Sequence, residues 1–144
     1  MAKLLQIVLD ASVILKWFLQ EDYSDLAEKL KDEFLIGTID VLIPELAFYE
    51  ITNVLRYKPN YSIQDLEESI SALTKMQLNA IKWDEIIGKN SVNIAYQYGI
   101  TIYDSSYIAI SHQFNCEMVT CDEKLLKKIR NEEKIYHIKN FNLE

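Results

Sequence analysis

The chain has 144 residues, 49% hydrophobic and 26% charged, with a net charge of −7 from 22 acidic and 15 basic residues. That length fits one domain spanning residues 1–144, and that balance excludes an acidic disordered segment. The shortage of basic charge argues against a surface that coats nucleic acid nonspecifically, but not against a metal-dependent enzyme, whose own carboxylates would make the chain acidic.

In chain order, Leu4–Leu9 is an apolar run without alternation, as expected of a strand buried on both faces of a parallel sheet. Asp10-Ala11-Ser12 opens a helix carrying Val13, Ile14, Trp17 and Phe18. Ser24 or Asp25 caps a second, with Leu26, Ala27, Leu30, Phe34 and Leu35 on its inner face. Asp40–Pro44 reads as a second strand, with Pro44 in the first turn of a helix running to Arg56 whose apolar positions include Leu46, Phe48, Tyr49, Ile51, Val54 and Leu55. Lys58-Pro59-Asn60 breaks that helix, and Ser62 with Asp65 forms a capping box for the next. Ala80–Trp83 is a third strand. Asp84 caps a helix carrying Ile86, Ile87, Val92, Ile94, Ala95 and Tyr98, which Gly99 stops. Ile102-Tyr103-Asp104 leads into a helix that buries Tyr107, Ile108, Ala109 and Ile110. Glu117–Thr120 is the fourth strand, Glu123–Ile129 a short helix, and Lys134–Ile138 the fifth strand. Alternating strands and helices imply an α/β domain with a mainly parallel central sheet.

The run Met1–Leu9 is too short for a signal-peptide core, and no apolar stretch approaches the roughly 18–20 residues that cross a bilayer. A soluble, cytoplasmic protein with no membrane partner is expected. Cys116 and Cys121 have no zinc-ligand spacing and are expected as reduced thiols.

Ligands of open α/β sheets bind at the carboxyl ends of the strands, which sorts the acidic residues. Asp10 ends the first strand and Asp122 follows the fourth. Asp104 opens the helix before the fourth strand, and Glu50 lies in the helix after the second, among apolar neighbours and three residues before Asn53. Asp25, Asp65 and Asp84 are explained as helix-start residues, and Glu28, Glu33, Glu67, Glu68, Glu132 and Glu133 as solvated surface. Each member of the first group also has a plain reading as a cap or a satisfied polar group. Four carboxylates converging on one sheet edge would repel, and an all-oxygen set of this kind suits Mg²⁺ or Mn²⁺ over zinc. His112 and His137 lie far from these positions in sequence and are expected in core or surface roles.

The segments Val8–Phe18, Pro44–Leu55, Tyr103–Ile110 and Val119–Leu125 resemble the PIN domain family, in particular VapC-type ribonuclease toxins of toxin–antitoxin pairs. They occur in the family's order and cover nearly the whole chain. The resemblance implies a three-layer α/β/α domain with a five-stranded sheet in order 3-2-1-4-5. It implies metal ligation by Asp10, Glu50, Asp104 and Asp122, supported by Ser12, Asn53 and Thr120, with none of the four acids substituted. It further implies one or two Mg²⁺ or Mn²⁺ ions, RNA cleavage by metal-activated water, a homodimer, and a small VapB-type antitoxin that blocks the site.

Lys16 and Lys124 are the leading candidates for contacts to RNA phosphates, followed by Lys127 and Lys128, which a solvated helix face explains equally well. Glu50 is the first candidate for a general base. Tyr103 and Tyr107 are candidates for base stacking or for core packing. The competing readings are a stand-alone PIN-domain RNA-processing nuclease, a non-catalytic PIN-like binding module, a receiver-like phosphotransfer domain and a DNA nuclease. A receiver would need a second acid beside Asp10 and a lysine ending the last strand, and fits poorly. The chain lacks a helical arch for threading DNA. The four proposed ligands carry four of the seven net negative charges, so much of the acidity belongs to one site. Such a groove would attract a basic antitoxin segment, with an arginine among the carboxylates.

Overall fold

The computed structural model describes residues 4–143; the Met1-Ala2-Lys3 part of the N-terminal run lies outside the described residues. Among the described residues, five strands, β1 (Leu5–Leu9), β2 (Ile39–Pro44), β3 (Asn79–Ile81), β4 (Glu117–Thr120) and β5 (Ile135–His137), form one sheet in order β3-β2-β1-β4-β5. Every neighbouring pair is parallel. Among the described residues, seven helices connect them: α1 (Ala11–Ile14), α2 (Ser24–Leu35), α3 (Leu46–Arg56), α4 (Ile63–Lys75), α5 (Glu85–Tyr98), α6 (Ile102–Gln113) and α7 (Glu123–Lys128). The α/β architecture and strand order are those expected, and the sheet is wholly parallel.

Successive side chains of a strand point to opposite faces. Ile7, Val8 and Leu9 are all completely buried, so both faces of the central strand are covered. Helix α6 packs across β2, β1 and β4, and α5 packs on α6. Burying a side chain of this kind contributes roughly 1.5–3 kcal/mol, and this core supplies the rigid base for the site. Among the described residues, no helix is long and apolar enough to cross a membrane.

Several local expectations hold. Ser62 and Asp65 form the reciprocal capping box of α4, Asp84 caps α5 through the Ile87 N–H, and Gly99 ends α5 in the left-handed region at φ 65°. Others are corrected. The first helix lasts one turn and tightens into a 3₁₀ segment, Leu15–Trp17, which seats Trp17 so that its Nε1–H donates to the Ala27 carbonyl. Neither Ser24 nor Asp25 caps α2: its N-cap is Tyr23, in the left-handed region at φ 67°. Ser24 Oγ instead accepts the Glu21 N–H and donates to the Leu19 carbonyl, tying the preceding turn. Pro44 is the last residue of β2, not a first-turn residue of α3.

Trp83 lies beyond β3, and its exposed indole covers Gly88, where a Cβ would fall 2.5 Å from the ring. Strand β5 stops at His137 and continues as a 3₁₀ turn, Ile138–Asn140. Leu35, Tyr49, Val54, Ile86 and Val92 are exposed. Helical spacing puts more apolar residues on these helices than the sheet can cover.

Candidate active site

In an order 3-2-1-4-5 sheet the strand sequence reverses direction between β1 and β4, and the crevice at their carboxyl ends is where open α/β sheets bind ligands. Asp10 stands at that point. Its backbone N–H donates to the Val119 carbonyl, extending the β1–β4 pairing by one residue. Its side chain makes no capping bond to α1, although it occupies the N-cap position. The carboxylate Oδ2 instead accepts the Ser12 hydroxyl at 2.6 Å and the Thr120 hydroxyl at 2.8 Å. Ser12 Oγ in turn accepts the Cys121 N–H, and Thr120 Oγ1 the Asp122 N–H. Two hydroxyls therefore orient Asp10 and stitch the end of β1 to the turn after β4.

Asp122 caps α7, its Oδ1 accepting the Leu125 N–H at 3.0 Å. The plain reading of this acid as a cap is correct, and it engages one of the two oxygens. Asp104 is brought to the same edge because α6 runs back toward the start of β4, so its first turn lies at the carboxyl ends of the strands. Thr101, which the sequence reading passed over, caps that turn by accepting the Asp104 N–H at 3.0 Å. Glu50 lies in the second turn of α3, half-buried, and its Oε1 accepts the hydroxyl of Tyr107 at 2.7 Å.

The four carboxylates feel one another. Burial raises the Asp10 pKa above its ordinary value, with Asp122 adding to it against the Ser12 and Thr120 hydroxyls. Burial raises Glu50 to about 7, opposed by the Tyr107 hydroxyl and reinforced by Asp10 and Asp104. Burial also raises Asp104, with Asp10 and Asp122 adding to it and the Thr101 hydroxyl and Lys128 opposing. Buried like charges of this kind are stabilised by a cation.

The donors are all oxygen, the chemistry of a Mg²⁺ or Mn²⁺ site, and in that respect the residues fit the ion. Among the described residues, however, no three His, Cys, Asp or Glu side chains close to metal-ligating distances. The two findings concern different ranges: Coulomb coupling acts at separations well beyond a coordination bond. The arrangement is an electrostatically coupled cluster, wider than a closed ligand set.

The remaining residues sort clearly. Asn53 is exposed on α3 and lines, with Glu50, Tyr49, Arg56, Leu66 and Ile70, a cleft that is mostly apolar. Lys16 is largely covered and pairs with Glu21 at 3.5 Å, while Lys124 is exposed on α7. Lys128 is close enough to Asp104 to oppose the upward shift of its pKa. Tyr107 is completely buried and has no face free to stack on a base, which corrects that candidacy; Tyr103 is 63% exposed. His137 is buried, its Nδ1 accepting the Lys139 N–H, and His112 pairs with Glu132 away from the carboxylates. Both cysteines are free thiols.

A doubly wound parallel sheet with an acidic centre at its switch point defines a class of α/β proteins whose ligand sites are built from strand ends. The chain belongs to the PIN domain family, whose profile matches residues 7–131. A relative from Pyrobaculum aerophilum, Ribonuclease VapC3, is 25% identical over 130 residues, covering 86% of this chain and 95% of that one. A toxin–antitoxin complex from Klebsiella pneumoniae contains a chain of similar fold, with a TM-score of 0.69 at 14% identity over 92% of this chain and 97% of that one. VapBC-1 from nontypeable Haemophilus influenzae gives a TM-score of 0.64 at 16% identity over 94% of this chain and 100% of that one.

Proposed function

We propose that this chain is a divalent-metal-dependent endoribonuclease of the VapC type, the toxin of a toxin–antitoxin pair. The observation that carries the reading is the coupled group of Asp10, Glu50 and Asp104, with Asp122 acting on Asp10 and Asp104, and with Asp10 buried and oriented by two hydroxyls. A fold needing only caps and surface polarity has no reason to bury charge in this way. The relative named as a ribonuclease and the toxin–antitoxin complexes of like fold support the same reading.

Asp10, Glu50, Asp104 and Asp122 would hold one or two Mg²⁺ or Mn²⁺ ions. Such an ion, when bound, acidifies the attacking water and offsets the charge that develops on the phosphate and the leaving oxygen. The chain's own residues supply the rest. Ser12 and Thr120 fix the Asp10 carboxylate, and Asp122, with Oδ1 spent on its cap, presents Oδ2. Glu50, with Oε1 taken by Tyr107, presents Oε2 to the ion. Asn53 shares with Glu50 a cleft on α3 whose lining does not include Asp10, Asp104 or Asp122. Lys124 and Lys128 on α7 are the leading proposed phosphate contacts, ahead of Lys16, which is largely covered and paired with Glu21. Exposed Tyr103, beside Asp104, offers a face to an unpaired base.

The partners in this reading are RNA, a second copy of the chain as a homodimer, and a VapB-type antitoxin whose basic segment enters the acidic groove. The protein acts in the cytoplasm as one domain. The decisive experiment is RNA cleavage by the purified protein in Mn²⁺ and in EDTA, alongside Asp104→Asn. Cleavage that needs the ion and is lost in the variant supports the reading. An Asp104→Asn protein cutting at the wild-type rate would overturn the site, and equal cleavage in EDTA would overturn the metal. For the toxin assignment, the test is whether expression arrests growth and a neighbouring small basic partner relieves it.

A further inference from the structure

A buried tyrosine hydroxyl usually finds a hydrogen-bond partner, and most side-chain hydrogen bonds go to backbone or water. Tyr107 is completely buried in the core, yet its hydroxyl donates to a carboxylate of the active-site cluster, Glu50 Oε1, at 2.7 Å. The bond joins residues 57 positions apart and links α6 to α3. Tyr107 also lies three residues after Asp104 on α6, and residues three apart share a helix face. One helix therefore presents Asp104 to the site directly and reaches Glu50 through a rigid side chain rooted in the core.

We infer that Tyr107 is a positioning residue, which holds Glu50 at a fixed place relative to Asp104 and makes its two carboxylate oxygens unequal. Oε1 is committed to the phenol, and Oε2 is the oxygen offered to a cation. A glutamate has three side-chain torsions, and no Lys or Arg pairs with Glu50 among the described residues. Without the phenol its carboxylate would swing away from the other acids to lessen their repulsion. A phenol fixed by core packing removes that freedom before any ion arrives, which is the service outer partners give to metal ligands elsewhere. The inference rests on the reading of the four acids as a cation site, and it adds a residue that touches neither ion nor substrate.

The test is a cycle of Mn²⁺ affinities, read from the electron paramagnetic resonance signal of free Mn²⁺, for wild type, Tyr107→Phe, Glu50→Ala and the double variant. Tyr107→Phe removes one oxygen and keeps the shape that fills the core, and circular dichroism checks that the fold is unchanged. The expected result is roughly 10–100-fold weaker binding in Tyr107→Phe. In the Glu50→Ala background the same change should have no further effect, because its means of acting is gone. A packing role alone predicts wild-type affinity in Tyr107→Phe, and that outcome overturns the inference while the cation site stands. An equal loss in both backgrounds also overturns it, since Tyr107 would then act by another route. Wild type that binds no Mn²⁺ overturns the cation site and the inference together.

Discussion

Thr120 and Asp10, 110 positions apart in sequence, meet in a 2.8 Å hydrogen bond that joins the ends of β4 and β1. Thr120 is completely buried, and its one hydroxyl donates to Asp10 while accepting the Asp122 N–H. It therefore serves two of the four acids at once. Thr120→Val keeps the shape and leaves a buried acceptor short of a donor and an amide without its partner. Unmaking such bonds costs about 1–3 kcal/mol, whereas Thr120→Ser, which keeps the hydroxyl, should cost much less. Urea denaturation measures both; a wild-type midpoint for Thr120→Val would show that the bonds do not hold the site.

Asp104 is expected to trade stability for function. Its carboxylate is half-buried and repelled by Asp10 and Asp122. Asp104→Asn keeps the shape and the N–H that binds Thr101, and removes a charge from the cluster. The metal-free variant should melt higher than the wild type and lose both Mn²⁺ binding and RNA cleavage. A melting temperature at or below the wild-type value in EDTA would argue that the charge is already relieved by something else.

The pH dependence follows from Glu50. Its pKa is about 7 in the folded protein against an ordinary value of 4.5. Between those values the folded state keeps a proton that the unfolded chain has released, so this group's contribution to stability falls as pH rises from about 4.5 to 7. His137 acts in the opposite sense, because burial lowers its pKa and a neutral ring is favoured in the fold. The wild type and Glu50→Gln should therefore be compared in EDTA. The advantage of Glu50→Gln should grow across that interval and shrink on adding Mn²⁺. A difference constant with pH contradicts the assignment.

Helix α6 depends on Thr101, whose side chain caps its first turn at the residue that carries Asp104. Thr101→Ala should cost about 1 kcal/mol through the lost cap. Because the frayed turn holds Asp104, Mn²⁺ affinity should fall as well. Chemical denaturation and Mn²⁺ titration check the two effects, and a drop in stability with unchanged affinity would confine Thr101 to the helix.

Much of this site was legible in the sequence because strand ends can be located from local patterning. Leu4–Leu9 reads as a doubly covered strand without any partner in view, which holds for Ile7–Leu9 while Leu4 and Leu5 are exposed, and it places Asp10 at a carboxyl end; Asp122 follows from Glu117–Thr120 in the same way. The apolar setting of Glu50 and Asp104 marked them as costly charges. Local chemistry also determined the capping box of α4 and the end of α5. Where local signals competed, the reading failed. Two adjacent cap-forming residues at Ser24-Asp25 point to a capping role, but Tyr23 takes the N-cap position without a side-chain bond and the Ser24 hydroxyl is spent on the turn before the helix. The exposed apolar residues Tyr49, Ile86 and Val92 carry the same period as buried ones.

What the sequence determined by itself was the alternation of strands and helices, the acids at their ends, and the resemblance that ordered them, since each depends on neighbours a few residues away. Only the tertiary structure decided that Ser12 and Thr120 converge on one oxygen of Asp10, that Lys128 lies close enough to Asp104 to act on its pKa, and that Tyr107 points its hydroxyl at Glu50. Apart from Ser12, two residues from Asp10, those pairings join residues 24 to 110 positions apart. They exist only because a parallel sheet, with helices returning each strand to the same edge, brings separate chain ends to one place.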